Sequence, residues 1–316
     1  MKGGIDLGGT KIQAVVVDDD HRVLGEARGP TPTAGGPADV ADAMAETMRT
    51  AATAAGTEPA TLDGVGVGSP GQIDSRAGTV SSASNLPDWD GSFALGGELE
   101  QRLGTSVSLE NDVQVATDAE FALGAGRDYE SILGVFWGTG VGGGLVLRGK
   151  PWLGRGGAGE IGHMVVKDGG AKCPCGRRGC MEAYAGRKAL EERARHRVRD
   201  GHKTDLFKIM EERGRDRLTS GIWSRALEHG DHMAHKLIEE AVEAIGAATA
   251  SACNLLDPEA VIIGGGLGIR LGEPYRDRIV EAMAPHLFVA ELPVHVAALG
   301  DLGGAIGASL LVKPRR

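Results

Sequence analysis

No run of about 18 apolar residues occurs anywhere in the chain, so no segment has the length and character of a membrane-spanning helix. Basic surplus is also missing. There are 34 Lys and Arg against 43 Asp and Glu, a net charge of −9, and no basic block interrupts the sequence. That balance excludes the electrostatic footprint of a general nucleic-acid or membrane-surface binder. Cysteine is scarce, four in 316 residues, too few for a disulfide scaffold. The opening Met1-Lys2-Gly3-Gly4-Ile5-Asp6 has no apolar stretch of signal-peptide length, which makes the cytoplasm the expected compartment. No low-complexity linker divides the chain. The G-x4-G-K-[ST] order of a Walker loop is absent.

Glycine is what the chain has in excess: 51 residues, about twice the ordinary share. It carries no G-X-Y period, so a collagen-like fibre is excluded. Hydrophobic residues make up 41% and charged residues 24%, a globular balance. A length of 316 residues allows two modest lobes or one large α/β domain. In such a chain the glycines mark tight turns where backbone approaches backbone or ligand.

The patterning gives the architecture. Gly3 to Asp6 and Ile12 to Val17, around a Gly-Gly turn, read as a β-hairpin, with a third strand near Val23 to Ala27. Val40, Met44, Met48, Ala51 and Ala55 have the spacing of a helix with one buried face. Residues 62–68 read as a buried strand ending in the turn Ser69-Pro70-Gly71. A second cycle starts near 105: a short strand at 107–109, a helix over 113–123, a strand over 131–137, a glycine turn over 138–144 and a strand over 145–147. The strand, Gly-Thr turn, strand order of the opening thus recurs after about 130 residues, which predicts two related lobes. Residues 188–233 read as polar helix with a solvated charged face. Leu237 to Leu255 read as a long buried helix broken at Asp257-Pro258, and a strand at 260–263 runs into a further glycine turn at 264–267. The small apolar segment 303–311 reads as a close-packed helix.

Three constellations carry chemistry. The glycine turns at 6–11, 138–144 and 264–267 follow strands. Such turns let backbone N–H groups converge on an anion, and Thr10 and Thr139 add hydroxyls. Lys11 adds a charge or is a surface lysine. Asp6 is placed to hold Mg²⁺ through water. His163, Cys173, Cys175 and Cys180, with gaps of ten, two and five residues, offer one imidazole and three thiolates, a tetrahedral and closed Zn²⁺ set. Cys253 falls in the apolar helix and reads as core. Asp112 stands where a strand gives way to a helix and is either a helix cap or a functional carboxylate. Glu160 and Glu182 flank the cysteine cluster; with Asn85 and Asn111 they suit the hydroxyls of a polyol.

Asp6-Leu7-Gly8-Gly9-Thr10-Lys11, Asn85-Leu86-Pro87, Glu110-Asn111-Asp112, the 138–144 turn, Gly159-Glu160-Ile161-Gly162-His163 and the cysteine knuckle together resemble the ROK family of sugar kinases (repressors, open reading frames, kinases). The resemblance covers essentially the whole chain. The knuckle with Gly-Glu-Ile-Gly-His is its specific part; the glycine turns alone would indicate only the wider actin-like ATPases. It implies an α/β, two-lobed actin-like (ribonuclease H-like) fold, duplicated, with a structural zinc knuckle and an active site in the cleft. The lobe boundary is placed near 110, giving a small lobe of residues 1–110 joined by the C-terminal helix 303–316. A large lobe, 111–302, carries the knuckle and the sugar site.

The activity implied is that of a glucokinase: ATP-dependent phosphorylation of D-glucose at the 6-hydroxyl, giving glucose 6-phosphate and ADP. By the resemblance, Asp112 is the catalytic base. Gly71, Asn85, Asn111, Asp112, Glu160, His163 and Glu182 take sugar-binding positions. Asp6, Gly8, Gly9, Thr10, Lys11, Gly138, Thr139 and Gly140 take phosphate positions, and Gly265 and Gly266 lie where the nucleoside packs. ATP with Mg²⁺ and one structural Zn²⁺ are implied, as is a homodimer or homotetramer. Asp88 is a departure: many relatives carry Gly there in Asn-Leu-Pro-Gly-Trp, so a charge is added near the sugar loop. Kinases for mannose, N-acetylmannosamine, kanosamine or allose are the nearest alternatives, since one hydroxyl changes discrimination by only a few kcal/mol. Polyphosphate as donor is disfavoured by the 264–266 turn. A sugar-responsive repressor would need a helix-turn-helix ahead of the first strand, which here begins about three residues from the start. A non-catalytic sugar-binding scaffold would be expected to show degraded turns or no Asp112.

Overall fold

The computed structural model describes residues 1–83, 86–89 and 91–313. Along the chain run β1 (Lys2–Leu7), β2 (Lys11–Val17), β3 (Val23–Pro30), α1 (Pro37–Ala54), β4 (Val65–Ser69), β5 (Gln72–Asp74), β6 (Thr79–Ser81), β7 (Ser92–Phe93), α2 (Leu95–Leu103), β8 (Val107–Asn111) and α3 (Asp112–Leu123). Then come β9 (Ile132–Trp137), β10 (Val141–Leu147), β11 (Lys150–Pro151), α4 (Glu182–Ala185), α5 (Arg187–Arg199), α6 (Leu206–Glu212), α7 (Ser220–Glu228), α8 (His232–Leu256), β12 (Ala260–Gly264), α9 (Gly265–Met283), β13 (Val294–Val296) and α10 (Gly303–Leu310).

Two five-stranded sheets share one plan. The first has the order β3-β2-β1-β4-β8 and the second β11-β10-β9-β12-β13. In each, an antiparallel hairpin, β1–β2 or β9–β10, is followed outward from its first strand by two parallel pairings, β1–β4–β8 or β9–β12–β13. The recurrence read from the sequence is therefore a repeat of topology. A small antiparallel sheet, β5-β6-β7, stands apart.

The chain divides into two compact units: residues 1–127, 151–158 and 299–316, and residues 128–150 and 159–298. The division falls after α3 rather than near 110, and segment 151–158 goes with the first unit. The reason for α3 is its packing on α10. A Cβ added at Gly307 would lie 2.3 Å from the Val115 carbonyl oxygen and 2.9 Å from Ala119 Cβ, so this helix pair touches backbone to backbone.

In the first unit the period of two splits β1 and β2 between two cores. Ile5, Leu7, Ile12, Ala14 and Val16 are buried in one cluster with Met44 and Met48 of α1. Val15 and Val17 form a second cluster with Ala305 of α10. The terminal helix lies directly on the sheet. A Cβ at Gly4 would sit 1.9 Å from the Ala305 carbonyl oxygen, and one at Gly66 would sit 1.7 Å from that of Ala308. Much of the glycine excess thus serves helix-on-sheet contact that any side chain would block.

In the second unit β12 is buried throughout, Ala260 to Gly264, and the 25-residue α8 buries Leu237, Ile238, Ala241, Ile245, Ala248 and Ala252 on one face. Asp257, in the left-handed region at φ +46°, ends that helix before Pro258. Two glycine segments differ from the sequence reading. The 138–144 turn is only 138–140, because Val141 to Gly144 belong to β10; there a Cβ at Gly143 would meet the Gly159 carbonyl oxygen at 2.7 Å. The 264–267 turn is the junction of β12 with α9. Neither α9 nor α2 is marked by the periodicity. In α9 the buried face of Leu267 and Leu271 is interrupted by Gly272, φ +64°, and Pro274 before it resumes at Ile279 and Met283. No helix among the described residues is long and apolar enough to cross a membrane.

Candidate active site

In the first unit the β1–β2 hairpin presents its turn at Gly8 to Thr10. Gly8 N–H donates to the Lys11 carbonyl, 2.9 Å, and Thr31 Oγ1 donates to the Gly8 carbonyl, 2.6 Å. The turn is thus fixed from the residue that follows β3, while Gly9 and Thr10 stay exposed. Asp6 ends the strand beneath the start of α10: a Cβ at Gly304 would lie 2.8 Å from its carboxyl carbon. Burial pushes the Asp6 carboxyl up to about 6, against the lowering charge of Lys11 and with the raising charge of Asp301. Lys11 Nζ stands 3.5 Å from Asp301 Oδ1.

The same carboxyl end of this sheet, where Asp6 of β1, Gly68 of β4 and Glu110 of β8 stand side by side, leads into Gly71 after β4 and into Asn111 and Asp112 at the β8–α3 junction. β4 pairs in parallel with β8, Gly68 opposite Glu110 and Ser69 opposite Asn111. The carboxyl ends of parallel strands are where open α/β sheets bind ligands. Gly71 has φ +97°, and a Cβ there would meet the Ser81 carbonyl oxygen at 2.6 Å. The cap of α3 is Asn111, not Asp112: Asn111 Oδ1 accepts from Val113 N–H at 3.0 Å and Gln114 N–H at 3.2 Å. Asp112 is the first helical residue, its Oδ1 3.0 Å from Val113 N. Of the two readings of Asp112, the cap therefore falls to its neighbour. A carboxylate at that position is stabilised by the helix N-terminus. Asn85 lies outside the described residues, as do residues 314–316 of the expected C-terminal helix.

In the second unit the Gly138–Gly140 turn is held by Gly138 N–H donating to the Gly140 carbonyl at 2.9 Å. Glu182, at the start of α4, accepts from Val141 N–H at 2.9 Å through Oε2. A Cβ at Gly140 would lie 2.2 Å from that same oxygen. Glu182, read as a sugar-binding residue, is thus also a direct buttress of the 138–140 turn. The β12–α9 junction starts at Gly265, φ +79°, where a Cβ would lie 2.6 Å from the Trp137 carbonyl carbon. The Trp137 indole N–H in turn donates to the Ala185 carbonyl, 2.6 Å, tying β9 to α4.

His163, Cys173, Cys175 and Cys180 come together: one ligand atom from each lies within 4.8 Å of the others. Cys175 and Cys180 sulfurs are 3.8 Å apart, and Cys173 Sγ is 3.8 Å from His163 Nδ1. Zn–S bonds of about 2.3 Å at the tetrahedral angle give S–S edges of about 3.8 Å, so the donor set fits zinc. Cys253 is buried elsewhere, in α8. Burial pushes Cys173 up to about 12. For Cys175, desolvation opposes ionisation but is outweighed by hydrogen bonds from Arg177, Cys173 and Cys180, which bring it down to about 6. The imidazole has two faces: Nδ1 belongs to the cluster, and Nε2 looks toward Glu160 Oε2 at 3.9 Å. Glu160 itself is exposed.

One charged group at this site lies outside the residues singled out above. Arg187 Nη2 donates to Thr139 Oγ1 and Nη1 to Ser220 Oγ, both at 2.9 Å. Its sequence signal is weak but physical: a cation at the first position of a helix with no acidic residue in its first turn opposes the helix dipole.

A duplicated five-stranded α/β fold, with a Gly-Thr hairpin turn in each half and a closed Cys3His cluster, defines a phosphate-binding protein of the actin-like class. The ROK family profile matches residues 2–315, and the chain belongs to the ROK family. It is 35% identical to a glucokinase of Thermotoga maritima, over 99% of this chain and 97% of that protein. Among solved structures, a ROK family glucokinase from Streptomyces griseus in complex with glucose and AMPPNP aligns at a TM-score of 0.85 and 33% identity, covering 98% of each chain. A ROK hexokinase from Thermus thermophilus aligns at 0.79 and 36% identity, covering 99% of this chain and 98% of its own.

Proposed function

We propose that the chain is an ATP-dependent glucokinase, transferring the terminal phosphoryl group of ATP to the 6-hydroxyl of D-glucose. The observation that carries this reading is the β8–α3 junction, where Asn111 takes over the capping and leaves Asp112 as a carboxylate at the helix start. Full-length likeness to glucokinases supports the substrate pair.

In this reading Asp112 orients the 6-hydroxyl and accepts its proton as the new P–O bond forms. A helix N-terminus favours negative charge at its first position, which suits a carboxylate acting there. A base of ordinary carboxylate strength suffices, because phosphoryl transfer through a loose transition state needs positioning and electrostatic stabilisation more than a strong nucleophile. In the first unit Asn85, Asn111 and the Gly71 backbone bind sugar hydroxyls. The turn at Gly8, Gly9, Thr10 and Lys11 takes phosphate. In the second unit Glu160, His163 and Glu182 serve the sugar; Gly138, Thr139 and Gly140 serve phosphate, and Gly265 and Gly266 the nucleoside.

Asp6 would serve Mg²⁺, whose chemistry is to neutralise phosphate oxygens; a buried carboxyl raised to about 6 is a group that a nearby cation would return to its charged form. His163, Cys173, Cys175 and Cys180 would hold one Zn²⁺, which supplies rigidity. Glu182 follows Cys180 by two residues, so the knuckle sets the position of that carboxylate. The protein is placed in the cytoplasm as a homodimer or homotetramer, a state that sedimentation resolves.

The test is release of ADP from ATP and Mg²⁺ with D-glucose, beside mannose, N-acetylmannosamine, kanosamine and allose. Preferential turnover of glucose is expected. Preference for another sugar moves the specificity within sugar kinases. No turnover of any sugar, on protein that retains zinc, overturns the ATP-kinase reading.

A further inference from the structure

Arg187 is the first residue of α5, and its backbone N–H donates to the Gly138 carbonyl at 3.2 Å. The next, Lys188 N–H, donates to the Thr139 carbonyl at 3.0 Å. The helix start is therefore bolted to the 138–140 turn. The guanidinium then bridges two places. One nitrogen binds the Thr139 hydroxyl of that turn, and another binds Ser220 Oγ. Ser220 Oγ in turn lies 3.6 Å from where a Cβ of Gly266 would stand. Arg187 thus spans from the phosphate turn to the start of α9, within one compact unit.

Its charge has no counterpart there. Both hydrogen-bond partners are neutral hydroxyls, and Arg187 makes no ion pair among the described residues. Glu191, the carboxylate whose charge acts on it, is engaged: Oε1 accepts from Arg195, and Oε2 accepts from Leu218 N–H at 2.7 Å. Burial and the like charge of Arg217 hold the Arg187 guanidinium below its ordinary range, with Glu191 only partly opposing them. The dipole of the 13-residue α5 adds a third unfavourable term for a cation at this position. Three costs on one side chain, offset inside the protein only in part by Glu191, are what a bound anion would remove.

We propose that Arg187 binds the phosphate chain of the nucleotide donor, bridging from the phosphate turn at Thr139 toward the nucleoside turn at Gly265 and Gly266. The proposal rests on the reading of those two turns as the ATP site. A planar guanidinium suits phosphate oxygens through paired N–H donors. Thr139 and Ser220 hold it in place before the ligand arrives, which lowers the ordering cost of binding. The same contact is made to ATP and to ADP, so its effect belongs to binding of both and not to the transition state alone.

The experiment compares ADP and adenosine by calorimetry on the zinc-loaded protein, for the wild type, Arg187→Gln and Arg187→Lys, beside steady-state kinetics. Gln keeps two of the three methylenes and an amide N–H but removes the charge. For Arg187→Gln, ADP affinity is expected to fall about tenfold or more, with adenosine within twofold. The KM for ATP rises by a like factor, while kcat and the KM for glucose stay nearly constant, as loss of uniform binding requires. Arg187→Lys restores part of the ADP affinity. Equal losses for ADP and adenosine would mark a merely structural role and overturn the proposal, as would unchanged or tighter ADP binding. Should Arg187→Gln not fold, Arg187→Lys decides by itself: it must still lose several-fold in ADP affinity and nothing for adenosine. Wild-type protein that binds ADP with this charge dependence but phosphorylates no sugar sinks the kinase reading and leaves this one standing. Glucose turnover with ADP binding indifferent to Arg187 does the reverse.

Discussion

Asp118 stands two turns along α3 from Asp112 and accepts a hydrogen bond from Gln114 Nε2 at 2.7 Å. Burial pushes its carboxyl from the ordinary 3.8 up to about 7; the Gln114 bond opposes this and the charge of Glu110 adds to it. The folded chain therefore holds a proton on Asp118 that the unfolded chain has already released between about pH 4 and 7. Stability linked to this group is fully present below the unfolded value and is lost as pH rises through the folded value. At roughly 1.4 kcal/mol for each pH unit, the full displacement amounts to about 4 kcal/mol. The side chain keeps some contact with solvent, which brings the expectation to about 2–3 kcal/mol. Asp118→Asn is isosteric with the protonated acid and keeps the acceptor for Gln114. It should lie within about 1 kcal/mol of the wild type near pH 4.5 and exceed it by about 2–3 kcal/mol at pH 8, with the gap opening between about pH 4 and 7. Denaturant midpoints at pH 4.5, 6 and 8 measure this. Asp6 titrates in the same sense, but its raising terms are burial and Asp301, so it cancels in the difference between variant and wild type. A gap that is the same at all three pH values, or that opens toward acid, refutes the argument.

Asp112→Asn should lower kcat by roughly 10²–10⁴-fold with the KM for glucose within a few-fold; near-normal turnover with sugar binding lost would contradict the role of base. Cys175→Ser, or a strong chelator, should strip zinc and raise the KM for glucose through Glu182, followed by metal analysis beside kinetics; full activity in metal-free protein would break the link between knuckle and site. Because Cys173, pushed up to about 12, must lose its proton to bind metal, zinc retention should fall as pH falls, read by a colorimetric chelator. Asp88 sits at φ +44°, in the left-handed region, so Asp88→Gly should stabilise by about 0.5–1 kcal/mol; an unchanged or lower melting temperature would show that its side chain compensates the backbone.

The sequence by itself settled whatever depends on near neighbours. Val40, Met44, Met48 and Ala51 fall on one face of α1 because the helix repeats every 3.6 residues, and the observed helix, Pro37–Ala54, agrees with that reading. The two Gly-Thr hairpins and the ligand spacing of the knuckle were legible for the same reason: each is written within about twenty residues. Tertiary structure decided what depends on distant partners. Gly4 and Gly66 fall in strands in the sequence reading, but why glycine stands there is visible only when α10, some 240 to 300 residues later, is laid on them. The sequence offered Asp112 as the possible cap of α3, and only the bonds from Val113 and Gln114 N–H assign the cap to Asn111 instead. Gly272 and Pro274 hid α9 by breaking its period. Arg187 looked like one more charge at the edge of a polar helical stretch. Its meeting with Thr139, 48 residues earlier, and Ser220, 33 later, is a product of folding, since periodicity reports which face a residue turns inward and never which residue waits there.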